Sequence, residues 1–181
     1  MRRRKFLKIA GIGGAMLLTG GAAGAVWLGG QAAPVDRFPD MDSALAWLDG
    51  IAENDRAHSL TDWPLSQVLE HCAQSVEFSL HGFPQSKPAW FQQSAGAVAF
   101  ATFNRRGAMR HGLTEAIPGA PALGLEPLPL AAERLATALR TFSAHRGPLA
   151  PHFAYGALDK PQYMRAHLMH LANHAEEIAL A

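Results

Sequence analysis

The stretch YMRAHLMHLANHAEE, residues 163–177, carries three histidines, His167, His170 and His174, at spacings of three and four. Because an α-helix turns by about 100° per residue, the three imidazoles fall within roughly 60° of one another. Leu171 lies on the same side, so the histidines are expected on the apolar face of a helix that points into a core. A buried imidazole either binds a ligand or needs hydrogen-bond partners. This helix therefore predicts where a functional site lies.

The pair His170 and His174 is spaced i, i+4, which allows two ring nitrogens on one helix face to bind the same ion. Such a pair needs at least one further ligand from another element. His71 and His145, on two other predicted helices, are the candidates. Imidazole ligands suit zinc, nickel, iron or copper and disfavour calcium and magnesium. The alternative interpretation is a set of core histidines that hydrogen-bond to the backbone or to each other.

Other polar residues are candidates to surround this site. His167 could replace one ligand or contact one, and Asn173 could orient a ligand or a bound water. His152, in the loop before the histidine helix, could line the mouth of the site with Tyr155 as a polar partner, or could simply pack within its loop. Three further histidines have no partner in the sequence and are expected at the surface: His58, His81 and His111.

The rest of the chain reads as helices separated by irregular loops. Apolar periodicity predicts four helices before the histidine helix: Met41 to about Asn54, Thr61 to about Leu80, Ala89 to about Arg105, and Leu130 to about His145. Asp40 is expected to cap the first, and Thr61, followed by Pro64, the second. No stretch shows a sustained period of two. We therefore expect an all-α domain of four or five antiparallel helices, with long loops at residues 107–129 and 146–159.

Composition and charge exclude several classes of function. The 181 residues suggest one domain, and the single cysteine, Cys72, rules out an internal disulfide and a cysteine-ligated zinc knuckle. Five of the sixteen basic residues precede the first acid, Asp36, which leaves eleven basic against fifteen acidic residues in the body. A mildly acidic domain is a poor nucleic-acid binder, so we expect no nucleic-acid partner.

Residues 1–34 are expected to be a targeting segment, and residues 35–181 the folded domain. The run Arg3-Arg4-Lys5-Phe6-Leu7-Lys8 matches the twin-arginine export pattern R-R-x-F-L-K, and a Gly- and Ala-rich uncharged stretch follows it. The alternative is the basic region of a general secretory signal. Export predicts the twin-arginine machinery as a partner and a location in the periplasm or at the outer face of the cytoplasmic membrane. If the leader is not cleaved, this stretch is long enough to form an anchor helix.

Five segments carry a resemblance to a known superfamily: WPLSQVLEHCA at 63–73, HGFP at 81–84, IPGAP at 117–121, PHFAYG at 151–156, and AHxxHxxNH at 166–174. With these residues the chain resembles the DinB/YfiT-like superfamily of metal-binding four-helix bundles, and a bacterial family of unknown function within it. The resemblance covers about residue 40 to the C-terminus. It implies an up-and-down four-helix bundle, in which a histidine of the second helix joins an i, i+4 pair on the last.

Carried over by residue, the resemblance implies the ligands His71, His170 and His174 around a divalent transition metal: zinc, nickel or iron. Three imidazoles leave a position open for water or substrate, which is the catalytic arrangement. The expected function is an exported metal-dependent enzyme with a small-molecule substrate, acting by transfer to a thiol or by hydrolysis. The alternative is a non-enzymatic periplasmic metal-binding or interaction module. Relatives often dimerise through bundle helices, which makes a homodimer a further expectation.

Overall fold

The computed structural model describes residues 32–180 and is mostly helical. Its elements in chain order are α1 (Met41–Ala52), β1 (His58–Ser59), α2 (Leu65–His81), α3 (Ala89–Phe91), a π-helical turn (Gln92–Gly96), α4 (Ala97–Arg106), α5 (Leu128–Ala144), α6 (Lys160–Ala175) and β2 (Ile178–Ala179). The predicted targeting segment, including an anchor helix, lies almost entirely outside the described residues. No helix within residues 32–180 has the length and apolarity to cross a membrane.

Of the two predicted N-terminal caps, one is present in the structure and the other is not. Asp40 caps α1 as predicted. Its carboxylate accepts a hydrogen bond from the Ser43 amide at 2.8 Å, and the Ser43 hydroxyl oxygen accepts one from the Asp40 amide. The predicted cap at Thr61 is wrong. Its hydroxyl instead pairs with that of Ser59 at 2.9 Å, and α2 begins after Pro64 without a side-chain cap.

Helix α2 is the centre of the core, because it packs against both α5 and α6, while α1 packs against α5. Eleven of its residues are buried, including the apolar stripe of Val68, Leu69 and Val76. On the flank, Arg134 of α5 pairs with Glu70 and Glu77 of α2, with 2.8 Å between Arg134 Nη2 and a Glu77 oxygen. This forked pairing fixes the register of α5 along α2.

The segment predicted as one helix from Ala89 to about Arg105 is helical, but a π-helical turn interrupts it at Gln92–Gly96. The reason is a tertiary contact with the loop before α6. A Cβ on Gly96 would lie 2.0 Å from the carbonyl oxygen of Ala154, so only glycine permits this approach. The Gln92 side chain also donates a hydrogen bond to the Phe153 carbonyl at 3.1 Å. The π-helical turn therefore holds the loop that carries His152.

The all-α expectation missed one small feature, an antiparallel pair formed by β1 and β2. His58 and Ser59 pair with Ala179 and Ile178, which brings the chain after α6 back beside the connection between α1 and α2. Strands of two residues are too short to show a period of two in the sequence, so periodicity could not find them.

Candidate metal centre

Three histidines from two helices meet in the core. The Nε2 atom of His170 lies 3.2 Å from the Nε2 atom of His71 and also 3.2 Å from that of His174. One ligand atom of each residue lies within 4.8 Å of the others, so the three could hold a metal ion. Helix α6 supplies the i, i+4 pair and α2 supplies His71, which is the combination that the resemblance implied.

The nitrogen spacing fits a metal better than it fits hydrogen bonding. A single imidazole nitrogen carries either one proton or one lone pair, so His170 Nε2 cannot make two good hydrogen bonds to two similar neighbours. Two nitrogens at about 2.0–2.1 Å from a tetrahedral zinc ion would lie about 3.3 Å apart, close to the observed 3.2 Å. The donor set therefore fits a divalent transition metal.

Burial keeps these imidazoles neutral, which is the form that binds metals. Burial, with a smaller contribution from the charge of His111, lowers the pKa of His71 to about 4. The pKa of His174 falls to about 2 for the same reason, with His71 and His111 contributing. The pKa of His170 also lies well below its ordinary value, because of burial and then the neighbouring histidines. All three nitrogens therefore keep their lone pairs near neutral pH.

A fourth histidine, His111, lies against this group, and its predicted place at the surface is wrong. It is half-buried, and its ring centroid lies 4.8 Å from that of His170 and 5.0 Å from that of His174. Asn173 positions it, since the Asn173 side-chain oxygen accepts a hydrogen bond from the His111 amide at 3.2 Å. His111 is on an irregular loop with no helical period, so no local signal in the sequence indicates this contact.

His152 and His167 form a separate group beside the centre, which we call the cavity-wall pair. The Ser79 hydroxyl donates its proton to the Val76 carbonyl at 2.6 Å, so His167 Nε2, 3.1 Å away, must donate to Ser79. His152 Nδ1 accepts hydrogen bonds from the Ala154 and Tyr155 amides, at 3.1 and 3.2 Å. His167 is therefore not a member of the three-histidine group.

The centre opens into a cavity of roughly 210 Å³. His71, His170 and His111 line it on one side, and His152 and His167 on the other. The ring of Tyr155 also lines it, stacked on His152 at 4.2 Å with 6° between the ring planes. His152 and Tyr155 therefore both line the cavity beside the three histidines. The cavity is large enough for a small molecule beside the histidines.

The remaining candidates lie elsewhere. His145 is at the end of α5, where its Nε2 contacts the Pro148 carbonyl at 3.1 Å, so it is not the third member of the group. Cys72 is buried, and burial raises the pKa of its thiol, which makes it an unreactive core residue. His58 and His81 are exposed, as expected.

Comparison with known proteins places the chain in a family. No curated protein and no solved structure matches it. A family model described as a protein of unknown function, DUF1569, matches residues 35–180, which is nearly all of the part that the structure describes. That family lies within the DinB/YfiT-like superfamily, in agreement with the histidines that α2 and α6 bring together. The chain thus belongs to the DUF1569 family of proteins of unknown function.

Proposed function

We propose that this protein is a metal-dependent enzyme in which His71, His170 and His174 hold one divalent transition metal, zinc, nickel or iron. The observation that carries the proposal is the position of His170 Nε2, 3.2 Å from two other buried imidazole nitrogens. A single proton or lone pair on His170 Nε2 cannot form two well-directed hydrogen bonds, whereas one ion is a partner for all three nitrogens.

The same proposal takes the helices to be an up-and-down four-helix bundle of the DinB type, made of α1, α2, α5 and α6. The packing of α2 on α5 and α6, and of α1 on α5, supports it. In such a bundle, facing helices present ligands to a shared interior. Here α2 and α6 do so, and the long connections before α5 and α6 close over one end of the site.

The cavity supplies the place for a small-molecule substrate. Three protein ligands leave an ion with open positions, and the cavity touches His71 and His170. Tyr155 and His152 present a stacked pair of rings against which a substrate can pack. Burial lowers the pKa of His167 to about 3. His167 is therefore a weak base, and we assign it to hydrogen bonding with a substrate rather than to proton removal.

The reaction class that this arrangement supports is transfer to a thiol or hydrolysis. A divalent ion supplies Lewis acidity, which activates a water or a thiol near neutral pH. The chain's part is to position the substrate against the cavity wall and to limit access of solvent through the loops around residues 111 and 152. The narrow cavity favours a substrate of low molecular weight.

Metal analysis of the full chain purified from cells tests this proposal. We expect about one transition-metal ion per chain, and none in the His170→Ala/His174→Ala double variant. The matched control is His58→Ala/His81→Ala, which removes two exposed histidines and should leave the metal content unchanged. A wild-type chain without metal, or a double variant that keeps it, would reject the three-histidine site.

A second candidate function is a non-enzymatic metal-binding or interaction module. The observation that favours it is the ring of His111, which lies on a further side of the three histidines and could close the site. The two functions separate on access to the ion. In the cobalt-loaded protein, added small thiols should shift the visible spectrum if the site is catalytic, and should leave it unchanged if the site is closed.

The proposal places the enzyme outside the cytoplasm, exported by the twin-arginine route. Its support is the run Arg3-Arg4-Lys5-Phe6-Leu7-Lys8 in the sequence. This route carries folded cargo, which allows the metal to be inserted before export. Replacing both arginines, Arg3→Lys and Arg4→Lys, should leave the full chain in the cytoplasmic fraction. Unchanged export of this variant would point to the general secretory route.

A further inference from the structure

The ring of His111 has one nitrogen satisfied and one without a partner. Nδ1 lies 2.8 Å from the Gly112 carbonyl oxygen, which can only accept, so the ring proton must be on Nδ1. Nε2 therefore carries the lone pair. It is shielded from solvent and has no hydrogen-bond partner among the described residues. A backbone carbonyl that holds Nδ1–H while Nε2 stays free is typical of a metal-ligating histidine.

The His111 ring lies as close to two of the three histidines as those histidines lie to one another. Within the three-histidine group the ring centroids are 4.8 to 5.0 Å apart. His111 lies at 4.8 Å from His170 and 5.0 Å from His174, the same spacing, and at 6.4 Å from His71. Two of its three distances therefore match the spacing within the group, and the third, to His71, is longer. His111 thus lies beside the two ligands of α6, where its imidazole can supply a further nitrogen.

The same loop is tied to the helix that carries two of the ligands. Asn173, which directly precedes His174, accepts the hydrogen bond from the His111 amide at 3.2 Å. Arg110 also forms an exposed ion pair with Glu176 at 3.4 Å, beyond the end of α6. Contacts at His111 and at the residue before it therefore hold this part of the loop against the C-terminal end of α6, beside the three histidines.

We propose that His111 is a fourth imidazole ligand to the ion held by His71, His170 and His174, supplied by the loop between α4 and α5. The inference rests on the proposed metal site, because a fourth ligand requires the other three. Of the four histidines, His111 is the one that is not in a helix. Its contribution to the ion therefore depends on the position of a loop, whereas helices hold the other three ligands.

Cobalt substitution of the full chain tests this assignment without any activity measurement. In His111→Ala a water oxygen replaces a nitrogen, and the visible cobalt bands should move to lower energy because water is the weaker-field ligand. Added imidazole should restore the wild-type bands. The dissociation constant for cobalt should rise about tenfold or more, since even partners outside the ligand shell typically contribute that much. His111→Gln, which also offers oxygen, should give a similar shift.

The control is His145→Ala, which removes a histidine bonded to the Pro148 carbonyl away from the centre and should leave the bands unchanged. If His111→Ala binds cobalt with wild-type affinity and an unshifted spectrum, His111 is not a ligand, although the three-histidine site stands. If wild type itself binds no cobalt, the proposed function fails together with this inference. The two failures are therefore distinguishable.

Discussion

Two groups of buried histidines lie side by side in this protein, and they differ in the partners that their ring nitrogens have. In the cavity-wall pair, a hydroxyl satisfies Nε2 of His167 and two backbone amides satisfy Nδ1 of His152. In the other group, which we call the four-histidine cluster, the rings of His71, His111, His170 and His174 lie against one another. Burial of an imidazole therefore does not by itself indicate a metal ligand. Buried ring nitrogens that meet only other imidazoles are the better indication.

The difference comes from α2, since both groups use neighbouring residues of α6. Helix α2 offers the hydroxyl of Ser79 to His167, and two turns earlier it offers the imidazole of His71 to His170. A hydroxyl can donate and accept, which satisfies a ring without any added group. Another imidazole cannot satisfy two rings at once. The residue that α2 presents thus decides whether the facing histidine of α6 has a hydroxyl partner or meets another imidazole.

The substitution Gly96→Ala should have the largest effect on the cavity-wall pair and should leave the four-histidine cluster intact. The new Cβ would lie 2.0 Å from the Ala154 carbonyl oxygen and would force the His152 loop away from the π-helical turn. We expect the free energy of unfolding to fall by about 3 kcal/mol, at the upper end for overpacking, with the metal content unchanged. Urea denaturation and metal analysis measure the two effects.

The matched control for this variant is Gly50→Ala in α1, where a Cβ meets nothing within 4 Å. It should stabilise the protein by up to about 1 kcal/mol, because alanine loses less backbone entropy in a helix. Loss of metal in Gly96→Ala would contradict the separation of the two groups, because the contacts of the π-helical turn that this variant disturbs are with the loop that carries His152.

If the proposed metal site is correct, added metal should stabilise the protein through the four-histidine cluster and not through the cavity-wall pair. At a free metal concentration a hundredfold above the dissociation constant, the wild-type free energy of unfolding should rise by about 2.7 kcal/mol. His170→Ala should lose nearly all of this gain, since it removes the central nitrogen. His167→Ala should keep the gain from a lower starting stability. Equal gains in the two variants would show that the metal binds elsewhere.

Acid should destabilise the metal-free protein partly through His167. Burial lowers its folded-state pKa to about 3, below about 6.5 in the unfolded chain. Below pH 6.5 the unfolded state therefore takes up a proton that the folded state does not. Between pH 6.5 and pH 5 this residue should cost about 2 kcal/mol of stability, with no contribution above pH 6.5.

Comparison with His167→Gln isolates this contribution. The glutamine cannot be protonated and retains an amide that can donate to Ser79. With a chelator present, the variant should show a shallower loss of stability below pH 6.5 in denaturation curves. An identical pH profile would mean that His167 is protonated in the folded protein.

The smallest expected effect concerns the single hydrogen bond between His167 and Ser79. Ser79→Ala removes the acceptor for His167 Nε2–H and should lower the free energy of unfolding by about 1 kcal/mol, with metal binding unchanged. Ser94→Ala is the control, because this exposed hydroxyl contacts only helix carbonyls, and should be close to neutral. Thermal denaturation of the two variants measures both changes in stability. A larger cost at Ser94 would contradict the role given to Ser79.

Much of the helical framework was predictable, because caps and apolar periodicity are local. Asp40, as a capping residue, correctly predicted the start of α1. The i, i+4 spacing of His170 and His174 correctly predicted that both rings lie on one face of α6. The choice of His71 over His145 was not local. Both are on helices, and the resemblance to the DinB/YfiT-like superfamily, rather than any spacing, selected the one that the fold brings to α6.

The sequence by itself determined the helices and the face on which α6 carries its histidines, since a helix repeats every 3.6 residues whatever surrounds it. The contact partners of each imidazole depend instead on how the helices and loops pack. Packing places Ser79 against His167 and His71 against His170. A hydrogen bond to Asn173, 62 residues away, holds His111 beside them. The position of a loop residue depends on such long-range contacts, and no local period records them.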